Sequence, residues 1–336
     1  MFKLIRNLFI LIIVILAVGW VYYTYQITSL NNGSQETVSF EIASGTGVNQ
    51  ISYKLYQAGL VKSRFYFEVY VWLKGLEDNF IAGVHDLNAS MSIKELTDQL
   101  TKSGSNEETI TIIEGWNNQQ IADYLQEQNL VKSEDFLNLV SRNVSRFKDE
   151  YDFLSDKPDN LDLEGYLFPD TYRIFKSSPA EHILRKMLSN LGQKLSGELK
   201  EEIERQGKTV FEVLTLASII EKEVRTAEDM KMVADIFYKR LEAGIALQSD
   251  ATVNYITGKG RTQPSLEDTR VDNPYNTYRY RGLPPGPISN PGLKAIEAAV
   301  YPTANPYYYF LTTDSGQVIY SKTYDEHLEN KYRHLN

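Results

Sequence analysis

The residues with the clearest capacity for chemistry are two acids, Glu221 and Glu223, at the end of the stretch VFEVLTLASIIEKEV over 210–224. Val213, Leu216, Ile219, Ile220 and Val224 recur at three- and four-residue steps, the pattern of a buried helix. An acid held against apolar packing resists ionisation, which is what a general acid needs near neutral pH. A helix that surfaces with a charged last turn has the same pattern. Periodicity does not choose between the acids: Glu223 shares a face with Leu216 and Ile219, and Glu221 follows Leu214 and Ala217.

Other chemistries lack their residues. The chain has no cysteine, which excludes disulfides and thiol catalysis. It has no HExxH, no phosphate-binding loop and no GxSxG setting, and His85, His182, His327 and His334 lack ligand spacing, so no metal and no cofactor is expected. Carboxylates remain, with aromatic loops around them, an inventory suited to glycosidic bond cleavage. A hydrolase needs two carboxylates. A lytic enzyme needs one, which protonates the leaving oxygen and then takes the proton from the sugar's own 6-hydroxyl as it closes on C1.

The elements that must position these acids read as follows. LEGYLFPDTY over 163–172 is dense in aromatics and interrupted by Gly and Pro, so it is a packed loop. Within it Glu164 caps a nearby backbone or lines a cleft. Residues 179–207, 227–243 and 293–299 are helical. LQSDATVNY over 247–255 sets Gln248 and Asp250 just beyond a helix end, where they contact a ligand or cap the next helix. The loop over 273–292 holds Asn276, Tyr278 and Tyr280. Long ordered loops of this kind tend to carry function. Residues 307–312 and 317–320 form a hairpin.

An internal repeat precedes this half. The layout strand, turn, helix over 39–51 recurs over 109–121: Ile42 matches Ile112, Gly45 matches Gly115, Gln50 matches Gln120, and Ile51 matches Ile121. Leu55 pairs with Leu125, and LVKS at 60–63 repeats at 130–133. Glu114 and His85 are isolated and read as surface or capping groups.

Length and composition bound the rest. The 336 residues suffice for two domains, and a net charge of −9 opposes nucleic acid as a partner. The 23 tyrosines suit sugar stacking as well as ordinary cores. Residues 8–25 are uncharged and apolar, with Lys3 and Arg6 before them, so a transmembrane anchor with a cytoplasmic N-terminus is expected. The expected division is a tail at 1–7, the anchor at 8–25, a linker at 26–36, a small α+β repeat domain at 37–145 and a second domain at 146–336.

LEGYLFPDTY, LASIIEKE, LQSDATVNY and NPYNTYRYRGLPPGPISNPG, in this order behind a repeat domain and an apolar N-terminus, resemble the endolytic murein transglycosylase family (MltG, YceG-like). The resemblance covers essentially the whole chain. It implies an α+β protein: an N-terminal transmembrane helix, a LysM-like α+β domain, then a mixed α/β catalytic domain on the outer face of the inner membrane. It implies a membrane-anchored lytic transglycosylase. Such an enzyme cuts nascent glycan strands between MurNAc and GlcNAc, leaves 1,6-anhydro-MurNAc ends and terminates strand elongation. Its partners would be peptidoglycan glycan strands and peptidoglycan synthases (penicillin-binding proteins). By the family motif Glu223 is the catalytic acid, with Glu221 in support. Family motif and loop context together make Glu164, Gln248, Asp250, Asn276 and Tyr278 candidates for substrate binding. The alternative is a non-catalytic glycan-binding scaffold for cell-wall synthases. A lyase label carried by family members, for aminodeoxychorismate, requires a cytoplasmic site that the expected topology opposes.

Overall fold

The computed structural model describes residues 23–24, 37–43, 45–101, 107–142, 144–175, 178–260, 264–313 and 315–335. The expected anchor is corrected here: among these residues no helix is long and apolar enough to cross a membrane. Of 8–25 only Tyr23 and Thr24 are described, and the rest of that expectation lies outside the described residues. The single-pass topology, the membrane partner and the inner-membrane location rested on the same helix and have no such element behind them. What is described is an α+β chain of many helices and short strand pairs.

The chain divides into two compact units, 1–108 with 173–178 and 109–172 with 179–336. In the first, β1 (Thr37–Ile42) pairs antiparallel with β2 (Gly83–Asn88), Phe40 opposite His85. Between these strands run α1 (Val48–Gln57) and α2 (Arg64–Lys74), and after them α3 (Ile93–Thr101). Phe40, Ile42, Ile51, Leu55, Phe67, Leu87 and Leu96 form its core. Ser92 starts α3: its hydroxyl accepts from Glu95 N at 3.2 Å while Glu95 Oε2 accepts from Ser92 N at 2.8 Å.

The second unit opens on the other copy of the repeat. β3 (Glu107–Thr111) leads into α4 (Asn118–Glu127) and α5 (Ser133–Ser141). The repeat is physical. Ile42 and Ile112, Ile51 and Ile121, and Leu55 and Leu125 are all buried. Gly45 and Gly115 share a left-handed backbone, with φ of 79° and 78°. The sequence reading joined both copies in 37–145, whereas the compact units divide between them.

α6 (Val144–Lys148) and β4 (Thr171–Phe175), which pairs with β3, flank the aromatic loop. Then follow α7 (Ala180–Lys194), α8 (Glu198–Arg205), α9 (Val210–Glu223), α10 (Ala227–Glu242), α11 (Asp250–Thr257) and α12 (Leu293–Val300). The expected hairpin is β5 (Tyr309–Thr312) against β6 (Val318–Ser321), with Phe310 opposite Tyr320, and α13 (Tyr324–Leu335) closes the chain.

α9 is the centre of this unit. Thr209 and Glu212 form a capping box at its start. Every residue from Val213 to Ile220 is buried, because α12 and α10 pack on it and a helix apolar on all sides has no face to give to water.

Candidate active site

α9 ends because Val224 takes an extended backbone, φ −145° and ψ 162°. Its last turn therefore leaves the packed core just where the two acids stand. They lie two positions apart, about 200° around the helix, so they face opposite ways.

Glu221 faces the glycines. Its Oε2 accepts from Gly292 N at 2.9 Å, and a Cβ on Gly292 would overlap the Glu114 carboxylate. Burial, with Glu114 as a like charge, pushes Glu221 up to about 7 despite the Gly292 N–H. A cavity of about 520 Å³ opens on this side, lined by Glu114, Asp170, Glu221, Arg225 and Lys294 among others.

Glu223 faces the start of α11. It is partly buried, and burial raises it to about 7; the adjacent Asp250 charge adds to this, while the Ser249 hydroxyl and the Arg240 charge oppose it. The Ser249 hydroxyl donates to Glu223 Oε1. Ser249 is itself fixed: its N–H donates to Thr277 Oγ1 at 3.0 Å, and Gln248 N donates to Thr277 O at 3.1 Å. Gln248 has φ 52°, a left-handed conformation that a non-glycine residue holds only when its surroundings impose it. Its Oε1 accepts from Arg240 Nη2 at 2.7 Å. Asp250 Oδ1 accepts from the Tyr278 hydroxyl at 2.5 Å. Burial raises Asp250 and Tyr278 alike. Glu223, Gln248, Asp250 and Tyr278 are thus brought together.

Glu164 and Asn276 are placed elsewhere. Both Glu164 oxygens accept from Asn118 N at 3.1 Å, capping α4, and Oε1 also accepts from Asn290 Nδ2 at 3.1 Å. Burial drives this carboxyl well above its ordinary range. These bonds make it a cap for α4. Asn276 is fully buried and spends its side chain on neighbouring backbone, donating to Thr269 O at 3.0 Å and Val271 O at 2.8 Å and accepting from Tyr278 N at 3.1 Å.

Four residues outside the sequence reading matter here. Ser249, Thr277 and Arg240 surround Glu223, and Asn290 ties three motifs through Leu167 N, Trp116 O and Glu164. A signal existed for Arg240. It follows Val233 and Phe237 at helical spacing on the buried face of α10, where a charge is out of place. Asn290, between Ser and Pro in a loop, carried none.

Residues 40–333 match the model of the YceG-like family. The chain belongs to that family. Proteins described as endolytic murein transglycosylase are similar to it along most of its length. That of Bacillus subtilis is 34% identical over 314 residues, covering 90% of this chain and 86% of the relative. That of Streptococcus pneumoniae is 34% identical over 346 residues, covering 95% of this chain. The chain spans 62% of the length of the pneumococcal relative. The crystal structure of a YceG-like protein from Listeria monocytogenes superposes with a TM-score of 0.62 at 34% identity, covering 89% of this chain and all of that one.

Proposed function

We propose that this YceG-like chain is a lytic transglycosylase of peptidoglycan, with Glu223 as its acid and base. The observation that carries the reading is a partly buried carboxyl raised to about 7 that takes a hydroxyl donor on one oxygen. Its relatives, described as endolytic murein transglycosylases, support the same chemistry.

In this reading Glu223, protonated, gives its proton to the oxygen bridging MurNAc and GlcNAc as the bond from C1 breaks. The sugar's 6-hydroxyl then bonds to C1, its proton returns to Glu223, and a 1,6-anhydro end is left with no water consumed. One carboxyl serves both steps because the first step creates the base that the second needs. A value near 7 suits both roles at neutral pH. Tyr278 and Asp250, bonded to each other beside Glu223, are read as contacts for the sugar. Residues 37–145 are read as the family's LysM-like module. Internal cutting would shorten growing strands and end their elongation.

Glu223→Gln keeps the shape and the acceptor for Ser249 but has no proton to give. Mass analysis of digested glycan strands is expected to find anhydro ends with the wild-type protein and none with the variant. Anhydro ends from the variant would overturn the role of Glu223. Strands bound but never shortened by the wild type would overturn the enzyme reading in favour of a scaffold.

A further inference from the structure

Arg240 is a buried guanidinium, 5% exposed. Among the described residues no salt bridge reaches it, and its Nε has no hydrogen-bond partner. Its one side-chain hydrogen bond goes to the neutral Gln248, and Tyr309 offers a ring face 5.3 Å away. A buried charge without a counter-charge is costly, so a role is needed for it. Of the acidic groups that act on its charge, Tyr309, Tyr278 and Glu223, only Glu223 is a carboxyl. Around the same carboxyl lies a closed set of buried hydroxyls. Thr252 Oγ1 donates to Ser249 O at 2.7 Å and lies 2.9 Å from Thr277 Oγ1, which takes the Ser249 N–H. These bonds leave the Ser249 hydroxyl little freedom except to meet Glu223.

We propose that Ser249 and Arg240 are positioning residues for Glu223: Ser249 pins Oε1 so that Oε2 carries the proton to be transferred, and Arg240 faces the carboxylate left after transfer. The inference rests on the transglycosylase reading for its consequence in catalysis, though not for the geometry. While Glu223 is neutral, Arg240 stands uncompensated. When the proton leaves Oε2 for the bridging oxygen, the new carboxylate and the guanidinium compensate each other, with no solvent needing to rearrange. When the 6-hydroxyl proton returns, the first arrangement is restored. Arg240 also holds Gln248 in its left-handed conformation, and so sets the approach of Ser249. The other groups facing Glu223 are Asp250, whose charge acts in the opposite sense, the Ala251 N–H, which favours the carboxylate, and Tyr278, which donates to Asp250.

The test compares Ser249→Ala, Arg240→Met and Arg240→Lys with the wild type, by pH profiles of cleavage and by isotope-edited infrared titration of Glu223, which needs no turnover. Ser249→Ala is expected to lower kcat about tenfold with KM nearly unchanged, since a hydrogen bond to a charged group is lost in the transition state. Ser249→Ala and Arg240→Met should each move the alkaline limb upward by about half a unit to one unit, because each removes a group that favours the carboxylate. Arg240→Lys keeps the charge and should bring the limb back to that of the wild type. Gln248 is exposed, so Gln248→Gly cuts the tether without disturbing the core, and it should shift the limb the same way if a buried change fails to fold. A limb and an infrared midpoint that stay put in all of these would overturn the proposal. So would equal losses in Arg240→Met and Arg240→Lys, which would mark a packing role. Wild-type protein that leaves no anhydro ends would sink the transglycosylase reading alone, and the infrared midpoints would still decide the positioning.

Discussion

Glu164 and Glu223 are both carboxyls raised by burial, and only their partners separate them. Glu164 has both oxygens engaged by the backbone of α4, and one of them by Asn290 as well. Glu223 has one oxygen committed to Ser249. For Glu164 the sign of the pH effect follows from its direction. An unfolded glutamate ionises near about 4.3, while the folded one stays neutral to much higher pH. The folded state therefore binds more protons, and stability falls as pH rises above about 4.3 towards the folded value. Glu164→Gln keeps a neutral acceptor for Asn118 N. Its thermal midpoint is expected to fall less between pH 5 and pH 8, on the order of the ordinary neutral range, than that of the wild type. For Glu223 the sign concerns activity. The acid must be protonated to act, so cleavage should decline as pH passes about 7.

At the scale of elements, α9 delivers Glu223 by being held at its start and along its middle. The capping box at Thr209 satisfies its first orphan N–H groups. Thr209→Ala should cost about 1 kcal/mol, read as a lower denaturation midpoint with an unchanged alkaline limb. The proline-rich loop is pinned onto the middle of the same helix. Ile288 N donates to Ser218 Oγ at 3.0 Å, and Ser289 Oγ donates to Ser218 O at 3.0 Å. The aromatic loop meets it at Gly165, whose φ is 86° and where a Cβ would overlap the Pro287 ring. Gly165→Ala meets strain and overlap together, and a loss of about 2–4 kcal/mol is expected in equilibrium unfolding. A large loss would show why this loop, and not a helix, carries that glycine.

At the scale of the whole molecule, the second compact unit begins at Thr109, inside the repeat. A fragment over 109–336 is expected to unfold in one cooperative transition by calorimetry. A fragment over 146–336 lacks Asn118 N and Trp116 O, so Glu164 loses its backbone donor and Asn290 a backbone acceptor while both stay buried, and it should show no sharp transition. Much of this architecture was legible in the sequence. The apolar run of α9, the ends of α10 and α12, the hairpin and the repeat follow from patterns set by neighbours a few residues apart, and such patterns survive without the fold. Where periodicity left two acids, the choice of Glu223 came from the resemblance to the family. Other features are long-range and leave no local trace. Ser249 meets Glu223 across 26 positions, and Asn290 meets Trp116 across 174. The sequence by itself determined most helices of the second half and which acids end a buried one, although 179–207, expected as helical throughout, is two helices, α7 and α8. Only the tertiary structure decided that Glu223 turns to the Ser249 loop and Glu221 to the glycines, because the direction of a side chain matters only against the elements packed around it.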